Sequence, residues 1–374
     1  MPASLRIKHI AFSDFRNYER FDLDDIGELT VFIGRNAIGK TNILEGIQLL
    51  TSAQSFRHPQ VIHLIREGAS ASRITMDATD GNRLITTALA LEPGKKRFTV
   101  NGKSKASVDV RGVLPSIMFT PDDLELAKKS SSVKRDALDA LGTQLNRNYY
   151  IVRRDYEKTI RYKNRLLKDE ASPLLIDSIN ESLITCGAQL LCLRRALFER
   201  VMPHVKKNYA SIARDGEDFS ATYIPSWMKI SGITEEIEPL TRDEARETIA
   251  HEIGNYVEEE RRRHRALVGP HNDQSMFTLA GRDASTFASQ GQQRSIVLAW
   301  KLAEVAVTRE VLGTSPVLLL DDVFSELDES RRAMLMGFVT EEVQTFITAT
   351  DVDGFDERLL SRARVVKLEE GCHA

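Results

Sequence analysis

Apolar and polar positions alternate along LRIKHIAF, Leu5 to Phe12, the two-residue period of a half-buried strand. Apolar residues then run together through LTVFI, Leu29 to Ile33, and stop at Gly34, which predicts a buried strand ending in a glycine loop. The next stretch, KTNILEGIQLLTSA, changes period: Ile43, Ile47 and Leu50 fall on one face of a helix. SRITMDATDGNRLITTALALEPGKKRFTVNGKS predicts three strands, with Asp80-Gly81 and Asn101-Gly102 as turn residues. SIMFTPDDLEL predicts one more strand, a Pro-Asp-Asp turn and a helix start.

From about residue 130 to 214 the pattern is helical and charged, nearly free of Gly and Pro as far as Pro173. FSATYIPSWMKI interrupts it as a β-like stretch, and TRDEARETIAHEIGNYVEEERRRHRALV predicts a long helix with Thr241 as N-cap. From about Ser275 strands and helices alternate again: SMFTLA, a helix over 291–311, VLLLDD, a helix over 329–339, VQTFITAT and RVVKLEE. The chain thus reads as α/β, with 1–125 and 273–374 as two halves of one domain and 126–272 as an inserted, mainly helical lobe. A length of 374 residues suits more than one core.

A net charge of -3 argues neither for nor against a polyanionic partner, so any basic surface must be local. From Lys128 to Lys168 twelve basic residues stand against four acidic ones. Arg147, Arg154, Arg161 and Arg165 recur at spacings of seven and four and can share one helical face, with Tyr149, Tyr150, Tyr156 and Tyr162 interleaved. Such a stripe suits a phosphate backbone read by charge and shape, and a solvated helix face is the plainer alternative. EEERRRHR carries its own acids and reads as structural. Cys186, Cys192 and Cys372 make no C-x-x-C pair, which predicts reduced thiols and a cytoplasmic chain. No apolar run approaches the roughly 18 residues of a spanning helix, and no membrane is expected.

GRNAIGKT, Gly34 to Thr41, fits G-x-x-x-x-G-K-[ST] between a strand and a helix, the context of a phosphate-binding P-loop. The backbone of Gly34, Arg35, Asn36, Ala37, Ile38 and Gly39, with Asn42 just beyond, is the candidate cradle for ATP. Lys40 would reach the β- and γ-phosphates and Thr41 would ligate Mg²⁺. Ala37 stands where many such loops carry Gly, which predicts a small backbone cost. PVLLLDD ends a buried strand in two carboxylates: Asp321 to hold Mg²⁺, and Asp322 to take the proton from attacking water. Lys40 and Asp322 are therefore the candidate catalytic pair, and Asp322, one methylene shorter than Glu, predicts slow turnover.

FASQGQQRSIVLAW has no nucleophile–base pair, yet it precedes the acidic strand end and then SELD. That order resembles the ATP-binding-cassette layout, whose signature loop caps the γ-phosphate held by a second subunit. The resemblance implies that Ser289, Gln290, Gly291 and Gln292 meet ATP across a dimer, with Asp328 at the same interface. FSDFRNYERFDL, GRNAIGKTNILEGIQLL, SFR, FTPDDLEL, YKNRLLK, VGPH, SQGQQRSIVLAWKLAE and LLLDDVFSELDESRR occur in this order and resemble the RecF family over nearly the whole chain.

The resemblance implies an ABC-type P-loop ATPase head with a mixed β-sheet plus a helical lobe. It implies an ATP-dependent homodimer on double-stranded or gapped DNA, slow DNA-stimulated hydrolysis, help in recombinase loading, and RecR as a protein partner, with RecO as a further candidate. It implies too that Arg57 in SFR reaches phosphate in its own subunit and that Arg16 and Asn17 in FRNY touch nucleotide. Three departures stand out: GRNAIGK for the usual N-G-x-G-K, AQSFR for a G-R-S opening, and Asn272 and Gln274 for Arg and Asp in VGPHNDQ. ITATD has Thr348 or Thr350 where transport cassettes keep a switch His, which together with the basic middle weighs against a transport role. Ala37, Asn272 and Asp322 motivate one alternative, an ATP-binding scaffold paralogue with little hydrolysis, for example in phage defence.

Overall fold

The computed structural model describes residues 5–128, 131–213, 217–235, 237–338, 343–352, 355 and 357–369; Cys372 lies outside them. The chain forms two compact units, Met1–Leu124 with Glu304–Ala374, and Glu125–Ala303.

The first unit holds two sheets. One is antiparallel and six-stranded, in the order Tyr18–Leu23, Arg6–Phe15, Ser72–Thr79, Leu84–Glu92, Lys95–Val100, Lys103–Lys105. The other is parallel and five-stranded, in the order Arg364–Lys367, Leu29–Ile33, Thr345–Ala349, Val317–Asp321, Ser116–Phe119. The two strand directions expected of one mixed sheet are therefore segregated into separate sheets. The three central parallel strands are buried at every residue, which is why they read as apolar runs. Helix Lys40–Ser52 shares one core with the antiparallel sheet. Gly46 makes that approach possible: a Cβ there would lie 2.4 Å from Phe12 Cζ. Phe12 in turn packs on Phe15 and Phe21, each 5.2 Å away between ring centroids.

Strand order positions the chemistry. Thr345–Ala349 lies between the P-loop strand and the strand ending in Asp321, so Thr348 stands opposite Asp321 on one side and Phe32 on the other. Residues far apart in sequence thereby meet at the carboxyl ends of parallel strands, where α/β folds place their ligands.

The second unit contains helices Ser131–Leu145, Arg147–Lys168, Pro173–Ile212 and Arg242–Arg263. The stretch that reads as continuously helical is broken at Asn146, whose side chain accepts from the N–H groups of Asn148 and Tyr149 and so starts a new helix. Thr241 is an N-cap as expected, in a capping box with Glu244. Strand Gln274–Leu279 pairs along its whole length with Phe219–Ile224, from Gln274↔Ile224 to Leu279↔Phe219. Residues 273–303, assigned from sequence to the α/β half, consequently fall in this unit. At its centre Arg194 donates twice to Asp139, at 2.9 Å each, and Tyr149 donates to the same carboxylate at 2.6 Å.

Candidate nucleotide site and signature loop

Gly34–Thr41 leaves the strand Leu29–Ile33 and enters the helix Lys40–Ser52. Gly39 adopts φ 116°, and a Cβ on it would sit 2.6 Å from Asn17 Nδ2, so both backbone and space require glycine. Ala37 adopts φ 65°, the left-handed region that costs an L-residue about 1 kcal/mol. Lys40 is 7% exposed, and its ammonium donates to the carbonyls of Gly34 (2.5 Å) and Arg35 (3.0 Å). Burial lowers its pKa, while Asp322 and Asp321 pull the other way. The Tyr18 hydroxyl, buried beside Gly39, has no hydrogen-bond partner among the described residues. A polyphosphate suits this loop: it supplies acceptors to a curled backbone and a buried cation.

The carboxylates are organised by two threonines. Thr41 and Thr348 each donate to Asp321 Oδ1 at 2.8 Å, and the Asp322 N–H donates to Thr348 Oγ1 at 2.9 Å. Thr41 and Asp321 thus present two oxygens side by side, a donor set suited to Mg²⁺. Asp322 sits at φ 51°; burial raises its pKa, Lys40 opposes this, and Asp321 adds to it. Thr350, the other residue at the switch position, is exposed and bonds to Asp351 at 3.1 Å.

The flanking cations converge on a residue that carries no motif. Glu45, fully buried, accepts from Arg16 Nε (2.8 Å), Arg16 Nη2 (2.7 Å) and Ser55 Oγ (2.5 Å), with Arg57 Nη1 at 3.4 Å. Arg57 also donates to Asn42 (2.8 Å), Asn42 to Asn17 (2.8 Å), and Asn17 to the Ile38 carbonyl (2.8 Å). Arg16, Asn17, Arg57 and Asn42 therefore form one network around the P-loop helix. Arg16, Asn17 and Asn42 also line a cavity of about 850 Å³ whose far wall is Ile62 to Ala69. Arg35 lines a second cavity, of about 410 Å³, with Gly34, Ile38 and Thr350. Sequence reasoning missed Glu45: on a helical wheel it stands opposite the Ile43, Ile47 and Leu50 face, where a carboxylate reads as solvent-facing.

The residues expected to meet a second copy are exposed or half-buried. Ser289 and Gln290 are exposed, Gly291 and Gln292 half-buried, and helix Gln290–Leu312 follows. Asp328 is exposed and caps helix Glu329–Phe338 by accepting from the Arg331 N–H at 2.9 Å. In the second unit Arg147, Arg154, Arg161 and Arg165 all lie exposed on helix Arg147–Lys168, joined by Lys158 and Lys168. Arg154 pairs with Asp155 at 2.8 Å and Arg165 lies 3.6 Å from Asp169, surface pairs that compete weakly for a phosphate. The interleaved tyrosines divide: Tyr149 and Tyr156 are core residues, whereas Tyr162 is 46% exposed. In the VGPHNDQ loop, Asn272 is held within the chain, donating to the Leu267 carbonyl at 2.9 Å.

A P-loop and an acidic strand end on a parallel sheet, with a signature loop in a second, helical unit, define an ABC-type ATP-binding head. The chain belongs to the RecF/RecN/SMC N terminal domain family, whose model matches residues 6–372, and within it to the DNA replication and repair proteins RecF. It is 36% identical to the RecF of Symbiobacterium thermophilum, over 91% of this chain and 90% of that one. It is 33% identical to the RecF of Halalkalibacterium halodurans, over 98% of each. Among solved structures it is similar to the recombination mediator protein RecF of the RecFOR pathway, described as RecF-ATPrS, with TM-score 0.87, 27% identity and 95% of each chain covered. Among the described residues no helix is long and apolar enough to cross a membrane.

Proposed function

We propose that this chain is a cytoplasmic, ATP-driven DNA clamp of recombination and gap repair, hydrolysing ATP slowly and with DNA as the stimulus. ATP binds along Gly34–Asn42, with Lys40 neutralising the terminal phosphates. Thr41 and Asp321 hold Mg²⁺, which when bound polarises the phosphate oxygens. Asp322 accepts the proton of the attacking water, a role that its raised pKa suits. Arg57, with Arg16 and Asn17, steadies the nucleotide side of the helix. Ser289 to Gln292 and Asp328 complete the site of a second copy, so that ATP assembles a homodimer. Arg147, Arg154, Arg161 and Arg165 meet the phosphates of double-stranded or gapped DNA. RecR, with RecO as a further candidate, is the expected protein partner.

One observation carries the reading most: Thr41, Thr348, Asp321 and the Asp322 N–H form a single hydrogen-bonded cluster at the P-loop, assembled from two strand ends and the first turn of the P-loop helix. The test compares DNA affinity and oligomeric state with and without ATP and Mg²⁺. ATP is expected to tighten DNA binding and produce a dimer, and Lys40→Met to abolish both effects. A wild-type protein indifferent to ATP in both assays would sink the reading. Single-turnover phosphate release stimulated by DNA separates it from a non-hydrolysing scaffold.

A further inference from the structure

The signature loop is tied to a residue that no motif contains. The Gln292 N–H donates to Ser289 Oγ at 3.2 Å, and the Ser289 N–H donates to Gln292 Oε1 at 2.6 Å, a reciprocal capping box at the start of the helix. Ser289 Oγ is the acceptor in this pair, so its own O–H remains free to donate outward. The other end of the Gln292 amide, Nε2, lies 2.7 Å from each carboxylate oxygen of Glu217. Tyr209, itself buried, also donates to Glu217 at 3.3 Å.

We propose that Glu217 is a positioning residue for the signature loop, fixing the Gln292 amide so that Ser289 presents its hydroxyl to the nucleotide of a second copy. An ionised carboxylate can only accept, so it forces Gln292 to turn Nε2 toward it and Oε1 toward the Ser289 N–H. Without Glu217 the amide can flip or swing free, and the cap that orients Ser289 loses one of its two bonds. Glu217 stands two residues before strand Phe219–Ile224, which pairs with Gln274–Leu279, so the anchor comes from a separate segment of the chain and not from the loop it steadies. The dimer part of this inference rests on the proposed function; the restraint on Ser289 does not.

Two measurements separate the parts. In nucleotide-free protein, Glu217→Ala is expected to speed hydrogen exchange at the Ser289–Gln292 segment by about fivefold or more, the equivalent of one lost hydrogen bond. Glu217→Gln, which can still offer an oxygen to Nε2, is expected to restore most of the protection. In light scattering, Glu217→Ala should raise the ATP concentration for half-dimerisation by a similar factor, about fivefold, while binding of a fluorescent ATP analogue to the monomer is unchanged. Gln292→Ala should do the same, and the double variant should be no worse than Gln292→Ala alone. Unchanged exchange in Glu217→Ala, or additive losses in the double variant, would overturn the inference. A wild-type protein that stays monomeric with ATP overturns the underlying reading and the dimer part with it.

Discussion

Removing the Thr348 hydroxyl breaks two bonds at once, one to Asp321 and one from the Asp322 N–H. Thr348→Val keeps the shape of the side chain, so the strand stays packed while the Asp321 carboxylate and the Asp322 backbone each lose one hydrogen bond. Phosphate release is expected to fall about tenfold or more, with ATP binding retained and stability lowered by about 1–2 kcal/mol. Equal hydrolysis by Thr348→Val and wild type in a phosphate-release assay would show that Thr348 only fills space. Ala37 carries a second local prediction. Its φ of 65° is natural for glycine, so Ala37→Gly is expected to raise stability by about 0.5–1 kcal/mol, read as a higher midpoint in urea. The P-loop and the two aspartates were legible because their spacing is set by the chemistry itself. Glu45 was not: a buried carboxylate that gathers Arg16, Arg57 and Ser55 acquires its role only once the loop folds back onto the helix.

Elements were legible where their period was. The alternation of Arg6–Phe15 and the apolar run of Leu29–Ile33 each name a strand without help from the rest of the chain. Pairing was not legible. Gln274–Leu279 looks like the opening of the second α/β half, but its neighbour is Phe219–Ile224, and no local pattern states which edge a strand will join. The loop preceding that strand supports a prediction at this scale. His271 is half-buried with its Nδ1 2.6 Å from the Tyr156 hydroxyl, and desolvation pushes its pKa down to about 4. In the unfolded chain a histidine titrates near 6.5. Between these values the unfolded state binds more protons, so this contribution to stability is whole above about pH 6.5 and is lost as pH falls toward 4. Urea unfolding at pH 5 should show a loss of about 2 kcal/mol relative to pH 7.5 that a His271→Gln variant lacks. Identical pH dependence in the two proteins would mean that His271 already carries its proton when folded.

For the whole molecule the testable quantity is the salt dependence of DNA binding in the two nucleotide states. Exposed Arg154, Lys158, Arg161, Arg165 and Lys168 lie along one helix, and each phosphate they neutralise releases counterions. A monomer brings one such stripe to the duplex, and an ATP-assembled dimer brings two. The log–log slope of affinity against salt should therefore steepen with ATP, approaching a doubling. Arg161→Gln with Arg165→Gln should remove about 1.8 from the slope without ATP and about 3.6 with it. Lys40→Met should hold the protein at the shallower slope whether or not ATP is present. Linkage adds a check in the other direction: whatever factor ATP adds to DNA affinity, DNA must add to ATP affinity. Slopes that are equal with and without ATP would mean that dimerisation does not recruit the second stripe, and slopes unmoved by the Arg161 and Arg165 changes would mean that the basic face of this helix is only a solvated surface.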